Sequence, residues 1–356
     1  MEPRERVLAA LAGREPDKVP KALSFYRVDL AAIAPPGCTE EDLGLEVRFV
    51  EFEPSRAEQR FHRYIQRFPM DTRIGSPSQL RTYSEWSYRP DDEAQRNPLA
   101  EAETVADLAD YPWPDITAEY RYRGLKKQVE RWQGEGYAVA GGPPHLGGEL
   151  FETAWRLRGL EKFLLDLICN KALAHGLLDR LADLCRHNAV ILAEAGVDIL
   201  VLDDDVGMPT TMIISPAMWR EFLGPRLAGI IRAARAVKPD LRVLYHSDGY
   251  FEPIIADLIE IGVDAINPVQ PDVMDPLEIK KRYGDRVALW GTVGAQTAFA
   301  FATSEEIRRE VKLRIETLGR AGLVLCPAYD IDEPDIPWEN ILAFLEAAEE
   351  YGSPPS

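Results

Sequence analysis

The chain has 356 residues, 46% of them hydrophobic and 28% charged, which is the composition of an ordinary globular protein. Its net charge of −18 disfavours nucleic acid as a partner, because phosphate binding requires clustered Lys and Arg. There is no apolar run of the roughly 18 residues that span a membrane, and the four scattered cysteines form no Cys-x-x-Cys pair, so we expect a cytoplasmic protein with no membrane partner.

The first predicted helix lies at the start of the chain, where Pro3 precedes the apolar positions Val7, Leu8 and Leu11. The region from about residue 18 to residue 115 is less regular, with many prolines, acidic runs and aromatic residues. Within it we predict strands near residues 20–25 and 67–75.

From about Tyr137 onward, short apolar runs alternate with amphipathic segments, which predicts parallel strands joined by crossover helices. The predicted strands are 137–140, 198–202, 242–245, 264–266, 287–290 and 323–325. The predicted helices are 149–167, 171–195, 216–237, 251–261, 276–283, 304–318 and 337–350. Gly196 and Gly262 each precede Val-Asp and a strand, which predicts a left-handed glycine at each helix end.

With the two earlier strands the count reaches eight, which favours a single (β/α)8 barrel domain over residues 1–356. The irregular region is then expected to contribute to the barrel and its rim. An open, doubly wound sheet is the alternative fold, although no Gly-x-Gly-x-x-Gly turn follows an early strand.

Polar residues follow the predicted strands directly, at the end of a barrel where active sites form. Asp203, Asp204 and Asp205 offer three carboxylates that can bind a cation, accept substrate hydrogen bonds or hold a proton. A solvated turn, or a cap for the helix that follows, is the alternative. His246 is predicted as a metal ligand or general acid/base, with Asp248 orienting it or binding the same ion. A structural histidine is the alternative for His246.

Other strand exits supply further candidates. His145 follows a turn rich in glycine and proline, and Asn267 and Gln270 follow the strand at 264–266. Trp290 is either a wall of the pocket or part of the barrel core. Tyr329 lies beyond the last strand and offers a phenol as hydrogen-bond donor.

Six segments resemble the uroporphyrinogen decarboxylase superfamily, in the family's order along the chain. They are Arg-Glu-Arg-Val-Leu-Ala-Ala-Leu at 4–11, Tyr-Pro-Trp-Pro-Asp at 111–115, Ile-Ser-Pro-Ala-Met-Trp-Arg-Glu-Phe at 214–222, His-Ser-Asp-Gly at 246–249, Ile-Glu-Ile-Gly-Val-Asp-Ala-Ile-Asn-Pro-Val-Gln at 259–270 and Pro-Trp-Glu-Asn-Ile at 337–341. The resemblance implies a (β/α)8 barrel. It also implies either decarboxylation or methyl transfer to or from a corrinoid protein.

The decarboxylases of this superfamily carry an Arg-Gln-Ala-Gly-Arg motif near the N-terminus and a histidine after the last strand. This chain has only Arg27 in the corresponding stretch, and Tyr329 stands at the place of the histidine. The resemblance therefore implies a methyltransferase acting on a small methylated compound with a corrinoid protein as partner. A decarboxylase of porphyrin biosynthesis is the alternative, and a catalytically silent binding subunit is a third reading. A homodimer is left open.

The superfamily's methyltransferases bind zinc through a His-x-Cys pair and a later cysteine. His246 matches the histidine, Asp248 stands at the first cysteine, and Tyr329 lies near the last, three residues from Cys326. The resemblance implies His246, Asp248 and Tyr329 as catalytic residues, with His246 and Asp248 as ligands of a zinc ion. Substrate binding is assigned to His145, Asp203, Asp204, Asp205, Asn267, Gln270 and Trp290.

Overall fold

A computed structural model describes residues 1–53, 97–109, 111, 113–294, 298–331 and 336–354. Seven parallel strands form one sheet and neighbour one another in chain order. They are β1 (Val47–Phe49), β2 (Ala138–Gly141), β3 (Ile199–Asp203), β4 (Arg242–His246), β5 (Ala265–Asn267), β6 (Ala288–Trp290) and β7 (Leu323–Val324). The strand order never reverses, so the doubly wound alternative is wrong.

The sheet is curled, as shown by the contacts of its first and last strands with the same helix. Helix α1 (Pro3–Leu11) contacts β1, β2 and β7. Next to β7, the Ala22 N–H donates to the Leu325 carbonyl and the Leu325 N–H donates to the Pro20 carbonyl, each at 2.9 Å. The strand predicted at 20–25 is therefore a single parallel bridge at Lys21. No backbone pairing joins this bridge to β1 within the described ranges, so closure of the barrel stays a prediction.

The sheet separates two hydrophobic layers. Along β3, Ile199 and Val201 belong to an inner cluster, whereas Leu200 and Leu202 belong to an outer one, as the two-residue period of a strand requires. The inner cluster contains residues of all seven strands and of α1. The interior is therefore packed with side chains, and the polar residues of the strand exits lie above it.

Helices cover the outer layer. They are α2 (Leu30–Ile33), α3 (Glu119–Tyr122), α4 (Leu125–Gly134), α5 (Phe151–Arg158), α6 (Leu160–Cys169), α7 (Lys171–Ala195), α8 (Pro216–Phe222), α9 (Gly224–Val237), α10 (Ile255–Ile261), α11 (Pro276–Tyr283), α12 (Ala298–Phe301), α13 (Ser304–Leu318) and α14 (Trp338–Gly352), with 3-10 turns at Val105–Ala109 and Glu252–Ile254. The predicted bounds of α7, α11 and α13 are confirmed. No helix in the described part of the chain is both long and apolar enough to cross a membrane.

Some predicted elements are wrong in detail. The helix predicted at 149–167 is α5 and α6, separated by Gly159 at φ +90°. The helix predicted at 216–237 is α8 and α9, because Pro225 lies in the first turn of α9 and lacks the N–H that would continue α8. Strand β1 lies in the region expected to be irregular. The strand predicted at 67–75 lies outside the described residues.

The recurring Gly-Val-Asp pattern places a carboxylate at the base of a strand. Gly196 and Gly262 both end their helices in the left-handed conformation, as predicted. The Asp198 carboxylate accepts the Val139 N–H of β2 at 3.0 Å and two guanidinium N–H groups of Arg4 at 2.8 and 3.0 Å. It thereby holds β2, the start of β3 and α1 together.

Asp264 does the same one unit further along the chain. Its carboxylate accepts the Val243 N–H of β4 at 2.8 Å and a guanidinium N–H of Arg235 at 2.6 Å. The aspartate of the repeated pattern is therefore structural at both places.

Candidate active site

His246 ends β4 and has a defined tautomer. Its Nδ1 lies 2.6 Å from Asn267 Oδ1, while Asn267 Nδ2 donates to the Trp290 carbonyl at 2.9 Å. Since the amide nitrogen is committed to that carbonyl, the amide oxygen accepts and the proton of the imidazole is on Nδ1. Nε2 then carries the lone pair. The ring stacks on Phe25 with centroids 3.6 Å apart, which fixes its plane.

Asp204 caps a helix, but not the one that follows it, which was the predicted alternative. It is fully buried, and its two carboxylate oxygens accept the N–H groups of Phe151 and Glu152 at 2.9 and 3.0 Å. The capped helix is α5, which precedes Asp204 in the chain. The carboxylate thus satisfies free amide donors at a helix start, where the helix dipole also favours negative charge.

Asp203 and Asp205 face His246. Ligand atoms of these three residues all lie within 4.8 Å of one another, and His246 Nε2 is 3.6 Å from Asp205 Oδ1. Glu149 holds Asp203 from behind, accepting the Asp203 N–H at 2.5 Å and donating its own N–H to the Asp203 carbonyl at 2.8 Å. Asp205 accepts the Asp248 N–H at 2.6 Å. The run of aspartates therefore divides into one cap and two groups beside the histidine.

Burial of these acids changes their proton affinity. Burial, and then repulsion from Asp205, raise the pKa of Asp203 well above its ordinary value. Burial raises the pKa of Asp204 to about 7 and that of Glu152 to about 8, and it raises the pKa of Glu149 well above its ordinary value. Burial therefore favours the neutral forms of Asp203, Asp204, Glu149 and Glu152.

Asp248 is held by Gln270. Gln270 Nε2 donates to Asp248 Oδ1 at 3.0 Å, and Gln270 Oε1 accepts the Gly249 N–H at 2.9 Å. Burial, followed by repulsion from Asp205, raises the pKa of Asp248 to about 7. The ligand atoms of His246, Asp203 and Asp205 thus form one group, while Asp248 is held by Gln270 and lines the same cleft as His246.

A cleft of about 220 Å³ lies at the strand exits. It is lined by Ser24, Phe25, His246, Asp248, Asn267, Pro268, Pro327, Tyr329 and Asp330. Of the residues predicted at the strand exits, His246, Asp248, Asn267 and Tyr329 line it, whereas Asp203 lies outside the lining. Ser24, Phe25 and Asp330 were not predicted, because nothing in the local pattern separates them from their neighbours.

The remaining candidates lie near this cleft but have other surroundings. His145 Nε2 is 3.9 Å from Asp203 Oδ2, so His145 belongs to the acidic group. Trp290 was predicted as either a pocket wall or part of the barrel core. It is fully buried in the inner cluster, so it belongs to the barrel core. Cys326 lies in the same cluster and is fully buried. Glu149 was missed because it continues the apolar-polar pattern that predicts a helix.

Gly291 gives a direct test of the support for His246. Its φ is +85°, and a Cβ there would lie 2.7 Å from Asn267 Nδ2. We expect Gly291→Ala to displace the amide of Asn267 and lower activity. Gly319→Ala is the control, since it has a φ of +72° but no atom within 4 Å of its added carbon. Equal melting temperatures with activity lost in Gly291→Ala alone would support the role of Asn267; equal activities would contradict it.

The fold and this site define the class of protein. Residues 126–351 match the family described as "Uroporphyrinogen decarboxylase (URO-D)", so the chain belongs to that family of enzymes. It is similar to the methylcobamide:CoM methyltransferase MtaA of Methanosarcina barkeri, with 28% identity over 59% of this chain and 56% of that protein. It is also similar to the uroporphyrinogen decarboxylase of Psychromonas ingrahamii, with 31% identity over 52% of this chain and 51% of that protein.

The matched regions span about half the length of these curated relatives. A methyltransferase from Methanosarcina mazei has a similar fold over 99% of both chains, with a TM-score of 0.66 and 21% sequence identity. This likeness shows the fold, and the predicted superfamily is confirmed by the family match.

Proposed function

We propose that the protein is a methyltransferase that moves a methyl group between a small methylated compound and a corrinoid protein. The cleft carries this proposal. Its lining includes Asp248 and Asp330 and, within the described ranges, no Lys or Arg. A porphyrinogen with eight carboxylates needs the opposite charge.

His246 is the residue that we assign to the reacting heteroatom of the small compound. Its Nε2 lone pair is available, because Asn267 accepts the proton on Nδ1. When a thiol or hydroxyl receives the methyl group, its electron pair forms the new bond to carbon and its proton passes to Nε2. The electron pair of the broken bond stays with the corrinoid, which carries the methyl group on its partner protein. Tyr329 lines the same cleft and offers a phenol to orient the compound.

The thiolate zinc site of the superfamily's methyltransferases does not fit these residues. Cys326 is buried in the inner cluster, and no cysteine is among the residues that line the cleft. Asp248, which stands at the first cysteine position, is held by Gln270. We therefore assign no step to zinc bound in that manner.

Free methylcobalamin provides a test of methyl transfer. With purified protein and a small thiol such as 2-mercaptoethanesulfonate, or a neutral thiol of similar size, we expect enzyme-dependent loss of the methylcobalamin absorbance and formation of the thioether. Protein carrying His246→Ala serves as the control for non-enzymatic transfer. No transfer to or from any small acceptor, with either free or protein-bound corrinoid, would contradict the proposal.

Decarboxylation remains the second candidate, because the family match and the relative from Psychromonas ingrahamii both carry that name. The acidic lining of the cleft predicts no detectable conversion of uroporphyrinogen to coproporphyrinogen. The measurement is product analysis after incubation with purified protein. A turnover of even about 1 per second, a modest enzymatic rate, would replace the methyltransferase proposal with this one.

We further propose that residues 1–356 form one domain, an eight-stranded barrel closed by the segment around Lys21. The bridge to Leu325 and the contacts of α1 with both ends of the sheet support closure. The four unpaired cysteines support a cytoplasmic location. The methylcobalamin assay distinguishes an enzyme from a catalytically silent binding subunit. A homodimer stays a prediction.

A further inference from the structure

We propose that Asp203, Asp205 and His246 form a divalent-cation site with a donor set different from that of the family's thiolate zinc site. The three residues come from the end of β3, the turn after it and the end of β4, so the register of two paired strands places them. Asp203 pairs directly with His246 in that register. An ion at this site would occupy the Nε2 lone pair that accepts the proton in the proposed transfer, so the two proposals give His246 alternative roles. Cation binding is measured by itself, and the methylcobalamin assay measures methyl transfer separately.

The distances suit a cation after a small adjustment. The ligand atoms lie within 4.8 Å of one another, and His246 Nε2 is 3.6 Å from Asp205 Oδ1. Bonds of about 2.0 to 2.2 Å to a tetrahedral ion place ligand atoms roughly 3.3 to 3.6 Å apart. Asp205 is half-buried, with 35% of its side chain exposed, and can move toward the other two.

His246 directs its Nε2 atom toward Asp203 and Asp205. His246 is 93% buried, and Nε2 makes no hydrogen bond within the part of the chain that the structure describes. Nδ1 is held by Asn267, which is in turn held by the Trp290 carbonyl. Metal-binding histidines almost always have such a fixed partner on the second ring nitrogen, because it orients the ring and raises the basicity of the ligand atom.

The carboxylates also lack a Lys or Arg counterpart. No Lys or Arg nitrogen of the described residues lies within 4.0 Å of Asp203 or Asp205; the side-chain nitrogens at that distance are those of the His145 and His246 imidazoles. Buried carboxylates in proteins are paired with cations, bind metals or take up protons. A divalent ion would neutralise both carboxylates, and the Asp203 N–H, donated to the Glu149 carboxylate, already fixes the main chain at Asp203.

Two oxygen ligands and one imidazole nitrogen favour an ion of intermediate hardness. Imidazole suits Zn²⁺ and Fe²⁺, carboxylates suit Mn²⁺ and Mg²⁺, and a mixed set selects Zn²⁺, Fe²⁺ or Mn²⁺ over Mg²⁺. Three protein ligands leave a coordination position open, as in catalytic rather than structural sites. That position would face the cleft, which His246 lines.

The test uses the full chain, treated with chelator and then titrated calorimetrically with Zn²⁺ or Mn²⁺ alone, with metal analysis after desalting. We expect one ion per chain for the wild type and a loss of affinity of at least about 10-fold in Asp205→Asn and His246→Ala. Asp248→Asn is the matched control, because it neutralises a neighbouring carboxylate outside the proposed set. We expect this variant to lose less affinity than Asp205→Asn does, because it removes a nearby negative charge but no ligand atom.

Two results would overturn the inference. The first is the absence of saturable binding of either ion to wild-type chain with a normal melting curve. The second is wild-type affinity in Asp205→Asn together with lost affinity in Asp248→Asn, which would assign the ion to His246 and Asp248 as in the family's pattern. Melting curves of each variant separate lost binding from lost folding. Neither result bears on methyl transfer, which the methylcobalamin assay decides separately.

Discussion

His246→Ala is expected to lower methyl transfer by about 100- to 10,000-fold, the range that a positioned acid or base contributes. The reason is geometric. His246 lines the cleft, its tautomer is fixed by Asn267, and its ring is held against Phe25. Alanine removes the lone pair of Nε2, and the described lining of the cleft contains no second histidine. The rate of methylcobalamin consumption is the measurement.

His175→Ala is the control for this substitution, since His175 is a partly exposed histidine on α7 that contacts Glu221 and Arg226 on the outside of the protein. It should keep wild-type activity. Loss of bound metal together with activity in His246→Ala identifies a ligand, whereas loss of activity with metal retained identifies an acid or base. A lower melting temperature with normal activity of the folded fraction would instead make His246 structural and contradict the expectation.

Asp198→Ala is expected to destabilise the fold by about 3 kcal/mol, because a buried backbone donor is left unsatisfied and two hydrogen bonds to a charged group are lost. The affected donor is the Val139 N–H of β2, and the lost partner is Arg4 of α1. The Asp198 side chain is only 1% exposed, so water cannot easily replace it. A denaturant titration compares the variant with the wild type.

Asp183→Ala provides the matched control, because Asp183 also pairs with an arginine, Arg186, but more than half of its side chain is exposed. Exposed pairs contribute little to stability, so this variant should unfold with the wild type. Equal stability of Asp198→Ala and Asp183→Ala would show that the carboxylate does not hold α1 to the sheet.

The sequence predicts most clearly those elements that have both an apolar period and local end signals. Helix α13 begins after Thr303, whose hydroxyl and the Glu306 carboxylate form a reciprocal cap, and its bounds were predicted correctly. Strand β1 was missed because its central residue is Arg48. The guanidinium is buried by donating to the Leu45 carbonyl and stacking 3.8 Å from the Tyr137 ring, contacts that arise only in the folded protein.

The sequence predicts where the candidate site lies, but not which of its residues lie together within it. Strand exits converge in any parallel barrel, so His246, Asn267 and Tyr329 were expected together, and they line one cleft. The separate roles of Asp203, Asp204 and Asp205 depend on the turn that follows β3 and on the distant start of α5, which adjacent sequence does not encode.

The bridge between Lys21 and Leu325 determines when the fold can be completed during synthesis. It joins positions near opposite ends of the chain, and α1 likewise packs against β7 as well as β1. A contact of such sequence separation requires closure of a very long loop, so it forms late and slowly. During synthesis, the segment around Lys21 can form this bridge only after the residues around Leu325 have been made. Until then the edge of the sheet is exposed to chaperones and to other nascent chains.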